Sequence, residues 1–201
     1  MENVITSSRA NISNFFYKRK LNVYNLTAHL LLNKCAYNTI WPESLACRGS
    51  SEISSALCVI VKKVLEDYPR LERIILRSDS CLPQNKNSIM VTDLKHIIQT
   101  TSINVIEQKF SEAGHSCIQE VDNVHSHIDK ALDLSEIFSP VSLLRVLLKV
   151  RPKHMKIIQL KQKYFLNFQK TSKSFNFSAV PFTKLKHISL EKCLPFRVSF
   201  K

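Results

Sequence analysis

Apolar positions recur at two different periods along this chain, and the places where the period changes mark its elements. Leu21 to Leu32, LNVYNLTAHLLL, is rich in strand formers. Asn38 to Leu45, with Trp41 and Glu43, follows closely enough to pair with it as a hairpin. Beyond Arg48-Gly49-Ser50-Ser51-Glu52 the period becomes helical, because Ile53, Ala56, Leu57, Ile60, Val61 and Val64 fall on one face. A serine cap and the carboxylate of Glu52 in the first turn suit that start. Ile74, Ile75 and Leu76 predict a buried strand ending on Ser78 and Asp79. After Pro83, Met90, Leu94, Ile97 and Ile98 share a second helical face, and Ile103 to Phe110 reads as another strand. Past a turn at Gly114, Val121, Val124, Ile128, Ala131 and Leu132 form a third stripe. Ser139 and Pro140 open a fourth helix as N-cap and N1.

Strands alternating with helices in this way predict an α/β fold, a mixed sheet with helices on its faces. Active groups in such sheets gather at the carboxyl ends of strands, where Asp79 is expected. Gly49 and Gly114 are the chain's two glycines, and a turn with positive φ accounts for each.

Charge changes the picture because it is unevenly placed. Residues 145–201 carry 14 Lys and Arg against one acid, Glu191, whereas residues 1–144 carry 15 of each sign. The whole net charge of +13 therefore sits at the C-terminal end, read as a basic extension over residues 151–201. Such a segment concentrates polyanions and releases counterions from each phosphate it neutralises. Tyr164, Phe165, Phe168, Phe175 and Phe177 interleave with Lys161, Lys163, Lys170 and Lys173, as a surface that stacks bases and neutralises phosphates requires. Core aromatics give the same spacing. Gln84, Asn85 and Lys86 are further candidates for contact with a nucleic-acid backbone, with helix capping and turn chemistry as the alternative. An acidic protein partner for the basic segment also stays open.

No apolar stretch reaches the ~20 residues of a membrane span, so no membrane partner is expected. The six cysteines lack a CxxC pair and read as reduced thiols of an intracellular protein. His115, Cys117, His125 and His127 include zinc-ligand types, but their spacing fits no common finger. On the third helix Asp122, Asp129 and Asp133 return to nearly one face, a stripe with the hard oxygen ligands a divalent cation takes.

Five ordered motifs, FYKRKLNVYNLTAH, the Trp41/Glu43 pair, RGSSEISS, RSDSCLPQNKN and GHSCIQEVDNVHSHID, are similar to those of a transposon-derived domain family of unknown function. Element order and acid placement also resemble the ribonuclease H-like fold of DDE-type transposases, integrases and ribonucleases H. The likeness runs from about Phe16 to Phe168, within a core assigned to residues 16–150 behind a variable stretch at 1–15. The resemblance implies Asp79 and Asp122 as metal ligands converging at the rim of one sheet. Glu52 and, as a nearby substitute for Asp122, Asp129 join them in a vestigial catalytic set, and with the site intact Mg²⁺ or Mn²⁺ would support phosphodiester cleavage or strand transfer. It also implies a first strand ending in aspartate, yet Glu2 is the one acid before Phe16. The expectation is therefore a domain truncated at its start and catalytically incomplete, a nuclear protein that binds DNA in preference to RNA. A metal-dependent nuclease whose first aspartate is encoded upstream remains the enzyme alternative.

Overall fold

A computed structural model describes residues 2–7, 21–111, 120–192 and 197–200. In chain order the elements are β1 (Glu2–Ser7), β2 (Leu21–Leu30), β3 (Cys35–Pro42), α1 (Ser50–Asp67), β4 (Arg73–Ser78), α2 (Ser88–Thr100) and β5 (Val105–Phe110). There follow α3 (Glu120–Asp133), α4 (Pro140–Lys149), β6 (Met155–Gln159), α5 (Phe168–Ser172), β7 (His187–Glu191) and β8 (Arg197–Phe200). The chain is α/β, but among the described residues its strands form two mixed sheets where one was expected, in two compact units. Periodicity fixes which residues face a core and leaves open which neighbour a strand takes.

Unit 1 comprises residues 1–48 and 118–162. Its sheet runs β1-β2-β3-β6, antiparallel except for the parallel β3/β6 pair. The β2/β3 hairpin forms as its strand formers suggested, with Lys34 at φ 54 in the turn and Asn33 Oδ1 accepting from the Cys35 amide at 2.9 Å. A strand stands where none was expected, since β1 pairs with β2 along its whole length and puts Ile5 opposite Val23. One sheet face carries Ile5, Val23, Ala36, Ile40 and Met155, packed with Val124, Ile128 and Leu132 of α3 and Leu143 and Leu147 of α4. Helix α4 starts as its sequence predicts: Ser139 and Ser142 form a reciprocal capping box ahead of the Pro140 turn.

Unit 2 comprises residues 49–117 and 163–201. Its sheet runs β4-β5-β7-β8, with β4 and β5 parallel and the rest antiparallel. Helices α1, α2 and α5 pack on one another, and α2 lies against β5 and β7. The expected stripes are inside: Ile53, Ala56, Ile60, Val61 and Val64 of α1, and Met90, Leu94, Ile97 and Ile98 of α2.

Three expectations change. Strand β4 is an edge strand with alternate residues exposed, because in a pleated strand Ile75 points away from the side taken by Ile74 and Leu76. Gly49 is itself the N-cap of α1, at an extended φ of −124°, so no positive φ is involved. A Cβ there would come 2.6 Å from Glu52 Oε2, so the flexible Glu52 carboxylate would have to swing aside. The segment after residue 150 is built into both sheets, because its apolar residues Met155, Ile188 and Leu190 alternate inward while its lysines stay outside.

Candidate nucleic-acid interface

The acids singled out from sequence divide between the units. Asp79 and Glu52 belong to unit 2, Asp122 and Asp129 to unit 1. Asp79 is exposed at the carboxyl end of β4, and its carboxylate accepts a hydrogen bond from the Asn85 amide. Glu52 lies in the first turn of α1, folded over Gly49. Asp122 and Asp129 flank His125 on α3. Helix α3 belongs to the unit of the β1-β2-β3-β6 sheet and β4 to the other sheet, so the single sheet expected to carry both is replaced by two. Among the described residues no group of three or more His, Cys, Asp or Glu side chains is placed to hold a metal ion. His115, Cys117 and Gly114 lie outside the described residues.

His125 is drawn into the fold of unit 1. It stands four residues after Val121 and three before Ile128, on the buried side of α3, and its Nε2 lies 2.8 Å from Thr27 Oγ1. Thr27 also donates to Asn38 Oδ1, and Asn25 and Asn38 are fully buried beside it. Burial lowers the His125 pKa, opposed by the charges of Asp129 and Asp122. His127 is exposed and bonds to the Asn123 carbonyl at 2.7 Å.

The amides after Asp79 are spent on folding the connection into α2. Asn87 caps that helix, accepting from the Met90 amide at 3.0 Å, and its Nδ2 donates to the Leu82 carbonyl at 2.9 Å. Amide groups of Gln84, Asn85 and Lys86 converge on the Cys81 carbonyl. Lys86 is 6% exposed, and its ammonium donates to the Thr183 carbonyl at 3.3 Å and lies 5.2 Å from the Phe110 ring centre. That ammonium is held inside the unit, which leaves the turn-and-cap reading ahead for this segment.

The later lysines behave differently. Lys163, Lys170, Lys173 and Lys184 of unit 2 are exposed, as is Lys161 of unit 1. Lys170 lies on the short helix α5, whose N-cap Asn167 accepts from the Lys170 amide at 2.9 Å. Among the described residues, Lys170, Lys173 and Lys184 have no ion-pair partner. The aromatics divide. Phe168 is 4% exposed and meets His96 edge to face at 5.6 Å, a core role. Phe175 is 36% exposed and begins a chain of rings with Phe177 at 6.2 Å, which continues to Phe182 at 6.0 Å. Lys95 Nζ sits 3.9 Å from the Phe175 ring centre, a contribution from α2 that sequence reading missed because only its i+4 spacing from Val91 places it beside the core face. Among the described residues unit 2 therefore exposes several lysines and, of the interleaved aromatics, Phe175, a set that suits phosphate neutralisation better than stacking of successive bases.

Among the described residues no helix is long and apolar enough to cross a membrane. The chain matches no protein-family model, no curated protein and no solved structure.

Proposed function

We propose that this chain is a nucleic-acid-binding protein, of the transposase-derived kind its motifs resemble, that holds a polyanion by charge and does not cut it. The observation that carries this reading is the set of exposed lysines, Lys163, Lys170, Lys173 and Lys184, in a stretch whose one acid is Glu191. Among the described residues Lys170, Lys173 and Lys184 have no ion-pair partner, which leaves their ammonium groups available to phosphates, and each phosphate neutralised releases counterions. Lys161 and the Lys95–Phe175 pair extend the basic character of their own units. DNA is the favoured partner, through the resemblance. The ribonuclease H-like ancestry belongs to the same proposal; its support is a parallel β4/β5 pair joined through α2, with Asp79 where β4 ends.

The test is fluorescence anisotropy with labelled 20-mers, single-stranded and duplex, of DNA and of RNA. Changing Lys163, Lys170, Lys173 and Lys184 together to Gln should weaken binding at least tenfold at 100 mM salt, with the far-ultraviolet circular dichroism unchanged. A folded variant that binds as tightly as the parent overturns the assignment.

A further inference from the structure

Among the described residues strand β4 has one strand neighbour, β5, and lies at the edge of its sheet. The ladder between them fixes which backbone groups are free. Glu72 O accepts from the Val105 amide at 3.1 Å and Ser78 O from the Ser111 amide at 3.0 Å, so in the parallel register Ile74, Leu76 and Ser78 turn their backbone toward β5. The N–H and C=O groups of Arg73, Ile75 and Arg77 then face away from the sheet. Their side chains share one face and are exposed, with Ile75 48% accessible. Arg73 is tied to Glu107, which also meets Lys109 at 3.6 Å and His187 at 3.2 Å, while Arg77 has no ion-pair partner among the described residues.

We propose that this edge is a docking site for an extended acidic peptide, which adds a fifth strand to the sheet with the pattern acidic, any, apolar, any, acidic. Three outward N–H and C=O pairs supply the ladder, Ile75 an apolar contact, and the arginines the charge selection. Charge also decides against a second copy of the chain. Antiparallel self-pairing centred on Ile75 sets Arg73 opposite Arg77 twice, and parallel self-pairing in register sets each arginine opposite itself; like charges across a ladder are destabilising. A peptide strand with a carboxylate at those two places turns the same repulsion into attraction.

The experiment measures binding of the labelled peptide Gly-Asp-Thr-Val-Thr-Asp-Gly by the full chain, against the same peptide with Lys for both Asp. Two backbone-methylated isomers are added, one blocking the amides that face β4 and one blocking the alternate set. The acidic peptide should bind, the lysine peptide should not, and only the first isomer should lose affinity, by at least tenfold. Ile75→Pro removes an amide that β5 does not use and should abolish binding. Arg77→Glu, which leaves the backbone intact, should lose the acidic peptide by at least tenfold and gain the lysine one. Equal binding of both methylated isomers overturns the proposal, because it shows attraction to charge without a ladder. Failure of the acidic peptide to bind overturns it too, as does sedimentation showing a dimer that Ile75→Pro dissolves.

Discussion

Each unit buries an ionisable side chain between helix and neighbour, and the two are treated in opposite ways. In unit 1, His125 finds a hydroxyl partner in Thr27 within a polar group that includes Asn25 and Asn38. In unit 2, Asp93 on α2 is fully buried, and among the described residues neither carboxylate oxygen has a hydrogen-bond partner. Burial pushes the Asp93 pKa well above its ordinary 3.8, against the charge of Lys62. The same desolvation lowers the His125 pKa below 6.5. Each group is thus driven toward its neutral form, but neutrality means a bound proton for the acid and a lost one for the base. Burial therefore gives these two groups opposite responses to pH.

For Asp93 the folded state holds the proton more tightly than the unfolded state. Its contribution is most favourable below pH 3.8 and declines as pH rises above that value toward the folded-state pKa. For His125 the unfolded state takes the proton more readily, so its contribution is complete above pH 6.5 and is lost as pH falls through that value. Glu107 works against Asp93 within unit 2. The Arg73 hydrogen bond holds its pKa below 4.5, and that stabilisation is present above pH 4.5 and lost in acid.

The largest effect that sharpens this contrast is expected from Asp93→Asn, which removes the titration at nearly constant volume. Denaturant unfolding at pH 8 should show a gain of about 3 kcal/mol, the scale of an uncompensated buried charge. The gain should shrink as pH approaches 4. A gain independent of pH would break the comparison. The second is His125→Ala, expected to cost about 2 kcal/mol at pH 8 by removing the hydrogen bond to Thr27 and opening a void. Its cost should diminish at pH 5, where the parent's histidine is already unfavourable. The smallest intervention is a thiol reagent. Cys58 is buried, and burial with the nearby Asp93 charge pushes its pKa up to about 11, whereas Cys47 is exposed. Cys47 should label at the rate of a free thiol and Cys58 only on the timescale of unfolding, followed residue by residue in a peptide map.

The sequence carried much of this, unevenly. The stripes of α1, α2 and α3 and the capped start of α4 are local patterns, and they fold as local patterns dictate. Asp93 was legible too, since it stands three residues after Met90 and four before Ile97, on the buried face. Charge hid it, because an acid on a helix is ordinarily read as solvent-facing. Strand partners were not legible. Nothing in RIILRS says that β4 closes a sheet on one side only, and nothing in ENVITS says that β1 joins β2. Those choices depend on residues far apart in the chain, where alternation fixes the face and leaves the neighbour open. The lysine-rich segment misled for a related reason, as its inward Ile188 and Leu190 weigh little beside its net charge but decide its place in the fold.

The claim that this chain holds nucleic acid by phosphate contact is tested most directly by the dissociation constant for a DNA 20-mer measured from 50 to 200 mM salt. With at least four lysines each neutralising a phosphate, the logarithm of the association constant should fall against the logarithm of salt with a slope of about −3 or steeper. A slope near zero, or no binding at 50 mM salt, would contradict the account.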